Sequence, residues 1–192
     1  MNHIKRILIL ILAVATAWVL LNFDYFRQNV EFVLRREKPT RQISVREKID
    51  PNVLMIPALN ITVPVLYATA VNESEFQALL IDGVVHYPGT ADAGEVGNVY
   101  IFGHSSDNAW SKGHFKTVFA LLPKMQIGQN IYISNSQGEK FVYQVTETRV
   151  VAKDDLSVLS QETNGRRLLT LQTSYPVGTS LKRFVVVAEL AN

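Results

Sequence analysis

Leu168-Leu169-Thr170-Leu171-Gln172-Thr173-Ser174, then Tyr175-Pro176-Val177-Gly178, then Lys182-Arg183-Phe184-Val185-Val186, reads as strand, turn, strand. Leucine and β-branched side chains favour an extended, half-buried ladder, and Pro-x-Gly interrupts it. The strands are expected at Leu168–Gln172 and Phe184–Leu190. Ser174 stands at the end of the first, and Arg183 at the start of the second.

The same texture runs back to Pro51. Val53–Ile56, Ile61–Val65, Asn98–Phe102, Asn130–Ser134 and Phe141–Val151 are short apolar runs bounded by Pro, Gly, Asn and Asp, and they read as strands. Asn135-Ser136-Gln137-Gly138 is a tight turn between two of them, which predicts a hairpin. Glu73–Ile81 and Thr117–Leu122 read as short helices, and Leu156–Leu159 as a single turn. Many short strands with few helices predict an all-β domain, either a closed barrel or a sandwich. The polar Lys153–Arg167 connection is long for a compact domain and leads into the Ser174 strand, so it is a candidate functional loop.

A chain of 192 residues, 47% of them hydrophobic, can bury one substantial core. Its net charge of +2 comes from mixed signs, which sets nucleic acid aside as a partner. There is no cysteine, which excludes disulfides, thiolate metal sites and thiol catalysis in the chain as it stands.

Lys5 and Arg6 precede an apolar run from Ile7 to Leu21, and Trp18, Tyr25 and Phe26 sit where interfacial aromatics anchor a membrane helix. A cleavable signal is the alternative, since Ala15-Thr16-Ala17 offers small residues. Bulky Leu20 and Leu21 follow, however, and no polar segment precedes the site, which favours a retained anchor. Residues 1–26 are expected to form the membrane anchor, 27–50 a charge-rich stem and 51–192 the folded domain. Val30, Val33 and Leu34 have near-helical spacing, so a helix can run on toward Pro39; a solvated spacer and a membrane-surface helix both fit. Arg27, Arg35, Arg36 and Lys38 lie beyond the run, so charge alone does not orient it.

Acyl transfer needs a nucleophile, a proton partner and an oxyanion donor within hydrogen-bond reach. Neighbouring strands lie about 4.8 Å apart, so side chains at strand ends can meet although distant in sequence. Alone, Ser174 would read as a strand-terminal serine before Pro176, His104 as a buried structural histidine and Arg183 as a surface cation. Their context changes that. Thr170-Leu171-Gln172-Thr173-Ser174, the Pro176-x-Gly178 turn and Arg183 follow one another, and Gly103-His104 lies upstream after Tyr87-Pro88-Gly89-Thr90-Ala91 and Gly94-Glu95-Val96-Gly97-Asn98.

This order resembles the sortase family, whose signature is Thr-Leu-x-Thr-Cys with one His and one Arg, over roughly Val53 to Leu190. The resemblance implies a closed β-barrel of about eight strands with short helices behind one N-terminal transmembrane helix. It also implies a single-pass cell-membrane protein with a cytoplasmic N-terminus and an extracellular catalytic domain. In that family the Cys position attacks the Thr–Gly bond of a Leu-Pro-x-Thr-Gly sorting signal. The resulting thioacyl enzyme yields to an amine of a peptidoglycan precursor or a pilin.

Carried onto this chain, the resemblance implies Ser174 at the nucleophile position, His104 as acid or base and Arg183 as oxyanion and substrate clamp. Thr173 is expected to shape the substrate pocket, and Gly103 to let the strand end turn sharply and present His104. Lys182 is a second cation, but its flexible point charge is the poorer oxyanion partner. No cofactor is expected. Some sortases bind calcium near the loop before the nucleophile strand, where Asp154, Asp155 and Glu162 could supply oxygens. His86, His104 and His114 match no compact zinc spacing. Asp50-Pro51-Asn52 is similar to the Asp-Pro-aromatic lid of pilin-type sortases but lacks the ring, so no lid is expected.

The departure falls on the reacting atom. A thiol with pKa about 8.5 is drawn to thiolate by an adjacent imidazolium, whereas a serine hydroxyl is not. Serine would need His104 as a neutral base with an acidic orienting partner, for which Asp107 is the near candidate. The chain as written is expected to be inactive or nearly so. Two origins fit: a Cys→Ser exchange made to trap substrate, which the otherwise intact motif favours, or a natural paralogue that has become a peptide-binding module.

Overall fold

The computed structural model describes residues 3–21, 23–35, 50–106 and 113–191. Two helices, α1 (His3–Leu21) and α2 (Phe23–Arg35), precede eight strands: β1 (Val53–Ile56), β2 (Ile61–Tyr67), β3 (Val84–His86), β4 (Gly97–Phe102), β5 (Asn130–Ser134), β6 (Lys140–Ala152), β7 (Arg167–Tyr175) and β8 (Lys182–Leu190). A third helix, α3 (Glu73–Leu80), joins β2 to β3. The strands close into a barrel in the order β1-β2-β3-β4-β7-β8-β6-β5, with β5 returning to β1. Two of the pairings, β2–β3 and β4–β7, are parallel, so the barrel is mixed.

Side-chain alternation assigns the two faces of the sheet. Successive residues of a strand point to opposite sides. Val99 and Ile101 of β4, Leu169 and Leu171 of β7, and Val186 and Ala188 of β8 all join the core that fills the barrel. Their alternates, Tyr100 and Val185, pack outside it with Val158. Val85 and Phe102 meet Phe76 and Leu80 of α3 on the same outer surface. α3 starts cleanly because Asn72 Oδ1 accepts from the N–H groups of Ser74 (2.9 Å) and Glu75 (3.3 Å), satisfying two donors of its first turn.

Three expectations need amendment. β3 was not foreseen; at three residues it is too short for alternation to register. Thr117–Leu122 is not a helix but a run of turns closed by a 3-10 turn at Leu122–Lys124. Pro123 has no N–H and disfavours helical geometry at the residue before it, and the Phe119 N–H donates to the His104 carbonyl (2.9 Å) instead of to an intrahelical one. β7 runs on through Ser174 to Tyr175, so the nucleophile position lies within the strand, not after it.

The 153–167 loop is held by side chains. Gln161 Oε1 accepts from Ala91 N and Asn98 N, while its Nε2 donates to the carbonyls of Asn98 and Leu159. Asn98 in turn donates to Val158 O (2.9 Å) and accepts from Thr170 Oγ1 (2.7 Å). Buried backbone groups of a loop need such partners, and here they set Leu156–Leu159 against the outer face of β4 and β8.

Candidate active site

Strand pairing brings the predicted residues together. In the parallel β4–β7 ladder Tyr100 pairs with Thr170 and Phe102 with Gln172, and two residues beyond that last pair His104 and Ser174 line the same cleft. In the antiparallel β7–β8 ladder Ser174 stands opposite Arg183. Residues opposite in register share a face of the sheet. Tyr100, Phe102 and His104 are spaced by two, as are Gln172 and Ser174, and all of them face outward.

His104, Ser174 and Arg183 line one cleft of ≈ 300 Å³. It lies on the outer surface of the barrel at the ends of β4 and β7, not in the filled interior. Glu73 and Phe76 of α3 form one side; Lys153, Asp155, Leu156 and Val158 form the other, so the long loop is indeed a cleft wall. Tyr100, Phe102 and Gln172 also line it.

The turn carrying His104 is pinned from both sides. Gly103 N donates to Gln172 O (3.1 Å), and Thr173 Oγ1 donates to Gly103 O (2.8 Å). Ser106 Oγ accepts from Gly178 N (3.0 Å), joining this turn to the β7–β8 connection. Gly178 has φ of 84°, a conformation that side chains oppose. Gly103 is needed for another reason than the expected sharp turn. A Cβ there would lie 2.8 Å from the Phe119 ring and 2.9 Å from Val84 Cγ1. Both neighbours are fully buried, so neither can retreat.

Thr173 lines the cleft and also serves the fold. Its parity is that of Leu169 and Leu171, it is 2% exposed, and its hydroxyl is committed to Gly103. It borders the cleft while anchoring the histidine turn. Arg183 is half-buried, and its Nη1 donates to the carbonyls of Ser180 and Lys182 at 3.1 Å each. Those bonds set the guanidinium near Tyr100. Burial pushes the Tyr100 phenol well above its ordinary pKa, and the positive charge of Arg183 opposes that rise.

Tyr100, Phe102 and Gln172 had no assigned role in the sequence reading, although counting back by two from His104 and Ser174 would have found them. Ser105 was also missed. It lines the cleft, is 1% exposed, and its Oγ has no hydrogen-bond partner among the described residues. Asp107, the candidate orienting acid, lies outside the described residues.

His86 is a core residue. Its Nε2 donates to Ala91 O (2.9 Å) and its ring stacks on Tyr67 at 4.6 Å. Among the described residues no three His, Asp or Glu side chains gather as metal ligands. Asp155 Oδ1 instead accepts from Ser157 N (3.0 Å), and hydrogen bonding to Ser157 holds its carboxyl below the usual range.

Known proteins share this fold. Residues 54–191 match the sortase domain family. Sortase D of Bacillus subtilis (strain 168) is 28% identical over 137 residues, which cover 70% of this chain and 60% of that protein. Sortase C1 of Streptococcus agalactiae superposes with a TM-score of 0.60 at 27% identity, covering 73% of this chain and 66% of the other. Sortase A of Corynebacterium diphtheriae does so with 0.61 at 26%, covering 76% and 62%. The chain belongs to the sortase family. It spans less than two thirds of the length of the Bacillus relative.

Proposed function

We propose that this chain is a sortase-type transpeptidase scaffold that docks a Leu-Pro-x-Thr-Gly sorting signal in the outer cleft, with serine at the nucleophile position. The observation that carries the reading is the convergence of His104, Ser174 and Arg183 on one cleft from three adjacent strands. With cysteine at 174, the thiolate would attack the Thr carbonyl while Arg183 stabilises the oxyanion. The Thr–Gly bond breaks as His104 gives a proton to the departing glycine amine, leaving a thioacyl enzyme. An amine of a peptidoglycan precursor or pilin then attacks, loses its proton to His104 and releases the thiolate.

Serine cannot begin this sequence, because His104 acidifies a thiol and not an alcohol. The chain with Ser174 is therefore a binder of sorting-signal peptides with little or no turnover. α1, which contains an exposed apolar stretch of 18 residues from His3 to Leu20, serves as a retained anchor. Its N-terminus is cytoplasmic and the barrel extracellular.

The test is Ser174→Cys, incubated with a Leu-Pro-x-Thr-Gly peptide and an amine and followed by mass spectrometry. Transpeptidation product is expected from the variant, and peptide binding without product from Ser174. No product across a library of sorting signals would remove the enzyme and leave a natural binding module. Covalent labelling of Ser174 by a fluorophosphonate would make it a serine hydrolase instead.

A further inference from the structure

α2 meets the barrel through Gln28 and Phe32. Gln28 Nε2 donates to Thr117 Oγ1 (2.6 Å), and Phe32 packs on the barrel core. At about 100° per residue these two lie roughly 40° apart on the helix surface. Phe23, Val30, Val33 and Leu34 fall within about 100° on the opposite side. They are 58%, 58%, 64% and 67% exposed. A stripe of four large apolar side chains this exposed marks an interaction surface.

What covers the stripe is indicated by its neighbour. The Trp18 and Phe26 rings are 5.6 Å apart, edge to face. Eight residues of one straight helix rise about 12 Å, so α1 and α2 are angled against each other. A membrane helix that leads into an angled amphipathic helix delivers the second helix to the bilayer surface. Exposed Arg27 lies about 20° beyond Leu34 at the edge of the stripe, where a long cation reaches headgroups while its stem stays among acyl chains. Trp18 and Tyr25 both neighbour Phe26 at the joint of the two helices, and amphipathic rings of this kind prefer the membrane interface.

We propose that α2 lies in the plane of the membrane, its apolar stripe sunk among lipids and its opposite face carrying the barrel. This rests on the reading of α1 as a retained anchor. Thr117, to which α2 is bonded, lies two residues before Phe119, whose N–H holds the His104 carbonyl. The edge of the barrel that bears His104 is therefore held close to the bilayer rather than carried on a free tether.

The chain has no cysteine, so one introduced cysteine takes one label. Leu12→Cys, Val30→Cys and Ser136→Cys, each in the full chain and carrying an environment-sensitive fluorophore, are reconstituted in phosphatidylglycerol–phosphatidylcholine vesicles. Labels at 12 and 30 should be quenched several-fold more by nitroxide lipid than the label at 136 on the β5–β6 turn, and should be shielded from an aqueous quencher. A label at 30 open to the aqueous quencher, with 12 in lipid, overturns the proposal and leaves the anchor standing. A label at 30 shielded from both quenchers makes the stripe a protein contact and also overturns it. A label at 12 in water removes the anchor and the proposal together.

Discussion

Ser174 faces Arg183 across the β7–β8 ladder, yet the guanidinium is held by its own turn, through the carbonyls of Ser180 and Lys182. A cation fixed before substrate arrives need not be reorganised when negative charge develops, which is the source of oxyanion stabilisation. In the Ser174→Cys background, Arg183→Ala should lower kcat by about 10²–10³-fold, as loss of an oxyanion donor does. Arg183→Lys should recover little of it, because an ammonium lacks the planar fork. Both should melt close to the parent. Steady-state kinetics decide the role: a loss confined to KM would assign Arg183 to ground-state binding.

Gly103→Ala tests the close packing behind the histidine. The added methyl meets Phe119 and Val84, both fully buried and with no room to yield. Overpacking of this kind costs about 1–3 kcal/mol, and relief by movement of the turn displaces His104. The variant should melt lower and, with cysteine at 174, turn over more slowly. An unchanged melting point would show that the turn has room.

Thr173→Val keeps the shape and removes the hydrogen bond to Gly103. A buried carbonyl left without its donor costs about 1–3 kcal/mol, visible as a fall of several degrees in melting temperature. Thr173 positions the histidine turn, so in the cysteine background kcat should fall more than KM rises, and Thr173→Ser should restore both. A change in KM alone would instead place the threonine against substrate.

Alkaline pH probes the buried phenols. Burial raises Tyr100 well above its usual value; it raises Tyr143 and Tyr67 as well. Groups with raised folded-state pKa hold their full contribution below the unfolded value of about 10. That contribution is lost as pH climbs from there toward the folded values, because the unfolded chain releases protons first. Stability should therefore decline above about pH 10, followed by tyrosinate absorbance and denaturant midpoints. Tyr100→Phe should shallow the decline; an unchanged slope would mean that Tyr100 is accessible to base.

Much was legible locally. Short apolar runs bounded by Pro, Gly, Asn and Asp located seven of the strands, since such runs depend only on neighbours along one chain segment, and Leu156–Leu159 fell where a single turn forms. β3 escaped because its three residues gain strand character only by pairing with β2 and β4. The 117–122 segment misled because its apolar spacing suits a helix. Its backbone is instead spent on turns and on holding the His104 carbonyl, a partner thirteen or more residues distant.

By itself, the order of residues determined a β domain behind an apolar N-terminus, the family likeness and the loss of the thiol, because each is a matter of residue type and near-neighbour pattern. Only the tertiary structure decided on which side of the sheet the three site residues meet, that Thr173 turns inward while Ser174 turns outward, and that α3 and the 153–167 loop wall the cleft. Those outcomes depend on register between strands far apart along the chain, and a shift of one residue would invert every face.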